Sequence, residues 1–221
     1  MKRITVELNE ESLKNAISEL KRYENQVKKA FTDFFEELCL WIIKRANWYI
    51  QNSDLGELVK IKIMNAWQYE VNSKGAKIMN TANKIITHEN NGVIVTEEYP
   101  LAAMVEFGVG VVGEQSPHPN AGLEGYDYDI VTPYKDGSGM WYFWTNHNEL
   151  DIPKSSIEDI RGYDDFRGKD KEQGKRIIVG TRGTQGIMFA YNALVDAKIE
   201  LADRHSELNK EWKSLLERYI K

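Results

Sequence analysis

Residues 13–52, LKNAISELKRYENQVKKAFTDFFEELCLWIIKRANWYIQN, decide the reading of the fold. Neither proline nor glycine interrupts them, and Leu13, Leu20, Val27, Phe34, Trp41 and Trp48 recur every seven residues. Ala16, Ile17, Phe31, Phe35, Leu38 and Ile42 lie beside that series. The spacing predicts a helix, and forty helical residues span about 60 Å. The stripe thins at residues 23–25, which leaves room for a break there. Residues 31–50 carry a broad apolar face that something must cover. Asn9-Glu10-Glu11-Ser12 supplies an N-cap candidate and acidic residues for a helix's first turn. Upstream, Ile4, Val6 and Leu8 alternate with Arg3, Thr5 and Glu7, the period of a half-buried strand.

Residues 55–144 read as β-structure. Val59, Ile61 and Ile63 alternate with polar neighbours, and strand-like runs follow at 67–71, 76–81 and 92–97. Asn72-Ser73-Lys74-Gly75 and Glu89-Asn90-Asn91-Gly92 are rich in residues that accept positive φ, as hairpin turns require. Residues 101–107 predict a short helix or turn stopped by Gly108, residues 108–125 a glycine-punctuated loop, and residues 140–144 an aromatic strand. From 149 to 176, 15 of 28 residues are charged with both signs interspersed, so residues 145–176 read as a long surface loop that orders against a partner. A strand at 176–179 precedes the turn Gly180-Thr181-Arg182-Gly183-Thr184-Gln185-Gly186, and a second long helix runs over 187–220. Its stripe is Ile187, Tyr191, Leu194, Lys198, Leu201, His205, Leu208, Trp212, Leu215 and Tyr219, a seam for another helix interrupted by Lys198 and His205.

The fold class expected is therefore α+β, a single domain with an antiparallel sheet core flanked by long N- and C-terminal helices. Its parts are a strand plus long helix (1–54), a β core (55–144), a charged loop (145–176), and a turn with the closing helix (177–221). Two such helices on one small sheet expose more apolar face than one domain covers, which predicts a homo-oligomer.

The 221 residues, 42% hydrophobic and 29% charged, suffice for a sizeable core and exclude a disordered chain. Twenty-nine basic against 34 acidic residues give a net charge of −5, so contact with nucleic acid is expected to be local or loose. No run is apolar enough for a membrane span, and Glu7 falls too early for a secretory signal. The single cysteine, Cys39, sits in an apolar run and reads as an inert packed thiol of a reducing compartment.

Candidate chemistry is sparse, and no cofactor is expected. His118 in Ser116-Pro117-His118-Pro119 has Glu106, Glu114, Asp127 and Asp129 nearby in sequence. A metal-dependent hydrolase using Glu106, His118 and Asp127 is the enzymatic alternative, because hydrolysis needs a His/carboxylate set converging on one ion. A proline-stiffened loop that positions aromatics explains the same residues. His88 and His147 stand alone among polar residues, and His205 reads as a half-buried member of a helix seam. Gly-x-Ser-x-Gly is absent. The glycines at 180–186 lack the Gly-Lys-Ser/Thr ending of a P-loop and read as a turn with Thr184 as N-cap. The aromatics Tyr126, Tyr128, Tyr134, Trp141, Tyr142, Phe143 and Trp144 are interleaved with Asp127, Asp129 and Asp136. Acidic neighbours repel a phosphate backbone, so sheet core and subunit contact fit them better than base stacking.

Three patches resemble one family. They are Tyr99-Pro100-Leu101-Ala102-Ala103-Met104-Val105-Glu106-Phe107-Gly108-Val109-Gly110-Val111-Val112-Gly113 followed by Pro117-His118-Pro119; Gly139-Met140-Trp141-Tyr142; and Thr181-Arg182-Gly183 leading to Met188-Phe189-Ala190-Tyr191-Asn192-Ala193. In this order, over residues 67–197, they resemble the tail-completion or head–tail joining proteins of long-tailed bacteriophages. Members commonly show Val-Glu-Phe-Gly-Thr-Gly after a Tyr-Ala pair and Gly-x-x-x-x-Pro-Phe opening a C-terminal helix. Here Val109 replaces the threonine and Met188 the proline. The resemblance implies a non-enzymatic virion subunit of neck or tail, made in the host cytoplasm and assembled as a ring, commonly a hexamer, around a DNA channel. Its implied partners are connector or stopper, tail terminator and tail tube, with loose DNA contact in the lumen and no membrane. A terminator or adaptor of a phage-tail-like bacteriocin particle shares these features. Val105, Glu106, Phe107, Gly108, Gly110, Trp141, Tyr142, Gly183 and Phe189 are then structural or interface residues: the glycines make tight turns, Glu106 caps or bridges, and Phe107 and Phe189 pack. The implied mechanism is ordering on assembly, with residues 145–176 and one long helix docking on neighbours.

Overall fold

A computed structural model describes residues 10–90, 93–128, 140–145, 150, 153–161 and 177–219. The fold is α+β. Helices α1 (Glu10–Gln51), α2 (Glu57–Met64), α3 (Leu101–Phe107), α4 (Gly110–Gln115), α5 (Ala121–Glu124) and α6 (Phe189–Tyr219) alternate with nine short strands. The strands do not form one sheet. β1 (Trp67–Asn72) pairs with β2 (Gly75–Asn80), β3 (Lys84–Asn90) with β4 (Val93–Tyr99), and β5 (Gly108–Val109) with β9 (Gly183–Gln185). β6 (Trp141–Thr145), β8 (Ile177–Thr181) and β7 (Asp159–Arg161) make a three-stranded sheet with β8 central. Among the described residues the buried apolar side chains belong mostly to helices. The strand expected at residues 4–8 lies outside the described residues.

The chain packs as two compact units. The first comprises residues 1–41 and 69–78. Here α1 runs unbroken through 23–25. Glu10 and Glu11 favour its first turn, and the pairs Glu10–Lys14 and Glu24–Lys28 bridge one turn each at 2.7 and 2.5 Å. The turn between β1 and β2 is held by Asn72, whose Oδ1 accepts from the Lys74 N–H at 2.8 Å. Tyr69 Oη donates to Glu36 at 3.4 Å. Cys39 is buried, and burial followed by the Glu36 charge pushes its thiol pKa up, as an inert thiol requires.

The second unit comprises residues 42–68 and 79–221. Its core takes Ile42, Ala46 and Ile50 from α1, Leu101, Met104 and Val105 from α3, and Phe189, Ala193 and Ala197 from α6. Each set repeats at helical spacing. Residues 57–64 form α2, not the strand expected from alternation. A strand turns 59, 61 and 63 to one side, but Val59 and Ile63 are buried while Ile61 is 47% exposed, the mark of an i, i+4 face. Lys60 is also buried in α2, with Nζ 3.0 Å from Glu57 and 3.3 Å from the Gln51 carbonyl, so its charge faces the C-terminal end of α1. Trp67 packs edge-on to Phe189 with centroids 5.9 Å apart, and its indole N–H donates to Asn47 at 2.7 Å.

Three further expectations change. The loop expected at 108–125 contains β5, α4 and α5. Within the expected surface loop at 145–176, a 3-10 turn (Lys154–Ser156) and β7 order in cis: β7 pairs with β8, Leu150 is 2% exposed, and its carbonyl accepts from Gly56 N–H at 2.8 Å. Residues 146–149, 151–152 and 162–176 lie outside the described ones. On α6 the face turned inward is Phe189, Ala193 and Ala197, while Leu194 of the expected seam is 43% exposed. The side chains beyond Arg204, His205 included, lie outside the described ones. No helix among the described residues is long and apolar enough to cross a membrane.

Candidate functional site

The site grows from α3 in the second unit. Pro100 supplies the φ that starts the helix, and Gly108, at φ 87, stops it. Glu106 thereby falls in the last turn of α3. Beyond it, Gly108 and Val109 pair with Gln185 and Thr184, and Gly110 bridges Gly183. The backbones approach so closely that a Cβ at Gly108, Gly183 or Gly186 would lie within 3.0 Å of the Thr184, Val109 or Glu106 carbonyl oxygen respectively. Gly183 also needs φ 115, which side chains rarely adopt. The two segments continue together: Ile187 N–H donates to the Val105 carbonyl at 2.8 Å, and Met188 N–H to that of Glu106 at 3.2 Å. Met188, at φ 56, turns the chain into α6. A proline, whose ring fixes φ near −65°, cannot take that conformation.

This path brings the first free N–H groups of α6 onto the Glu106 carboxylate. Oε2 accepts from Ala190 N–H at 2.8 Å and Oε1 from Tyr191 N–H at 2.9 Å. The negative charge sits at the positive end of the helix dipole, contributed from 84 residues away in sequence. It replaces the expected cap: Thr184 lies in β9 and its hydroxyl donates to the Gln185 carbonyl at 3.0 Å.

Oε1 of Glu106 also meets His118 Nε2 at 3.1 Å, and both residues are buried. Nδ1 of His118 accepts from Asn120 N–H at 3.0 Å. That contact requires a lone pair on Nδ1, so the proton sits on Nε2 and His118 donates to Glu106 as a neutral imidazole. Aromatic rings enclose the pair. Phe107 lies 4.4 Å from His118 and stacks on Tyr126 at 4.6 Å and 19°. Tyr191 and Tyr128 meet His118 and Tyr126 edge-on. Their polar tips are used: Tyr126 Oη donates to the Gly108 carbonyl at 2.8 Å, and Tyr128 Oη accepts from His118 N–H at 2.9 Å. Burial, then the Tyr128 and Asp127 charges, push the Tyr126 phenol well above its ordinary pKa, which keeps the hydroxyl a donor.

The structure thus joins Glu106 and His118 but not the third member of the proposed hydrolase trio. Asp127 is exposed, and among the described residues no three His, Cys, Asp or Glu side chains are grouped to hold a metal. Both carboxylate oxygens and both ring nitrogens already have partners. The dyad works as a clamp between α3, the His118 loop and α6. Glu114 is exposed; Asp129, Tyr134, Asp136 and His147 lie outside the described residues. Trp141 and Tyr142 stand in β6 opposite Thr181 and Gly180.

Sequence reasoning missed two other constellations. Thr181, wholly buried, donates to the Ser156 carbonyl at 2.7 Å and accepts from Gly183 N–H at 3.0 Å, tying β8 to the glycine turn. Asp196 accepts from Arg45 at 2.5 Å and from Tyr49 Oη at 2.9 Å, while the Arg45 guanidinium lies 4.6 Å from the Trp48 ring centre. No local motif marks either.

No protein-family model, curated protein or solved structure matches this chain.

Proposed function

We propose that this chain is a structural subunit of a long-tailed phage virion, a tail-completion or head–tail joining protein that assembles as a ring around the DNA channel. One observation carries the reading: on α1, Leu13, Ile17, Leu20, Tyr23, Phe31, Phe34 and Leu40 are each 44–65% exposed. So many large apolar side chains along one helix suit a building block whose role is contact with its neighbours. The resemblance adds support. Its patches are distant in sequence, yet β5–β9 pairing and the Glu106 clamp join two of them, while β6–β8 pairing ties the aromatic strand to the start of the third. A net charge of −5 suits a lumen through which DNA slides without sticking.

The test is particle composition together with gene disruption. The chain is expected in purified virions at a fixed small copy number, and its loss should leave filled heads and complete tails that fail to join. Absence from particles, with a purified protein that stays monomeric when concentrated, overturns the reading.

A further inference from the structure

The geometry points to a specific occupant for the exposed face of α1: the same helix of a second copy of this chain, lying parallel and in register. The stripe alternates by four and three through Leu13, Ile17, Leu20, Glu24, Val27, Phe31, Phe34, Leu38 and Trp41, four heptads and about 42 Å of continuous helix. Its two flanks differ. One carries Lys14, Lys21, Lys28 and Phe35, and the other Ala16, Tyr23, Ala30 and Glu37.

That asymmetry fixes direction. Antiparallel copies set each flank against its own kind, so lysines meet lysines. Parallel copies set opposite flanks together: Lys21 comes over Ala16 of the second copy, and Lys28 over Tyr23. The lysine stems then cover small or aromatic surface with their charges at the edge, and no like-charged row forms. Glu24 is the polar member of the stripe. Its carboxylate is paired with Lys28 of its own helix at 2.5 Å, which also draws its pKa below the ordinary glutamate value. The layer therefore carries no net charge, and Glu24 marks register at some loss of affinity. The half-exposed side chains leave room for these contacts without rearrangement of α1. None of this depends on the phage reading, which can fail at the particle while α1 still self-associates.

The test uses the full-length protein. Leu20→Cys in a Cys39→Ser background should form a disulfide-linked dimer through position 20 under mild oxidation, because parallel registered helices bring identical stripe positions together. In sedimentation velocity, Ile17→Glu with Leu20→Glu should weaken association at least about 100-fold, since two carboxylates per copy would be buried. Glu24→Leu should tighten it at least about tenfold. Lys21→Glu should change it less than about threefold; clear tightening by that variant indicates antiparallel packing and overturns the proposal. Circular dichroism keeps the variants comparable: Ile17, Leu20, Lys21 and Glu24 are surface positions, and the buried Cys39→Ser background is measured alone as the reference for the cross-linking variant. Failure to cross-link, or association indifferent to Ile17 and Leu20, shows that another protein or another face supplies the contact and likewise overturns it.

Discussion

The clamp around Glu106 and the free face of α1 spend their side chains in opposite ways. In the clamp a buried carboxylate and a buried imidazole have every polar atom engaged within the chain, and three close-approach glycines exclude any looser fit. On α1, large apolar side chains stay half exposed along more than half of a 42-residue helix. Polar groups that look reactive in sequence are engaged within the chain, and apolar groups that look like core stand half exposed. Complete partnering ties a buried group into the fold, while a large exposed apolar stripe is a surface available for contact.

The largest effect expected on the clamp side comes from its backbone. Gly183→Ala puts a methyl group against the Val109 carbonyl at φ 115, and should cost about 4 kcal/mol or prevent folding. Gly75→Ala, with nothing within 4 Å, should stay within about 0.5 kcal/mol. Chemical denaturation of both variants checks the pair. Equal stability would mean that the β5–β9 approach is not the tight point described.

Glu106→Ala should follow at about 3 kcal/mol, because it orphans Ala190 N–H, Tyr191 N–H and His118 Nε2–H together. Glu106→Gln should lose about half of that, its amide N–H₂ facing donors. His118→Ala should cost about 2 kcal/mol, through the lost contacts with Phe107 and the orphaned Asn120 N–H. Calorimetric melting temperatures decide whether the dyad is a clamp. Residues kept for chemistry usually burden the fold, so an unchanged or raised melting temperature in Glu106→Ala would reopen the catalytic alternative.

What could be read from sequence follows the same division. Both long helices, the stop at Gly108 after a short helix or turn, and the turn at 72–75 were legible because their signals are local: periodicity, a missing proline, a glycine that must take positive φ. The role of Glu106 was legible only as a family expectation to cap or bridge, and which helix it caps was not, because its partner lies 84 residues on. Thr184 looked the better cap because it stood nearer. Residues 57–64 misled because three apolar residues at spacing two fit a strand, while one buried pair at spacing four suffices for a one-sided helix. The division of the strands among four small sheets left no mark, since pairing such as β5 with β9 is decided by tertiary approach.

The smallest effect tests where along α1 the contrast ends. Near its C-terminal end, Arg45 and Tyr49 turn to Asp196 of α6 inside the second unit, so this part should behave like the clamp and not like the stripe. The hydrogen bond from Arg45, with further help from Tyr49, holds the Asp196 carboxyl below its ordinary pKa against the opposing effect of burial. A depressed folded-state value means stability that is fully present above the unfolded aspartate value near pH 4 and is lost as pH falls through the folded value. The melting temperature of the intact protein should therefore drop more steeply below pH 4 than that of Asp196→Asn, and the gap between them should narrow as the acid removes the charge. The pair is partly solvated, so the gap above pH 4 should be small. Parallel pH profiles for the two proteins would place the last turns of α1 with its exposed face.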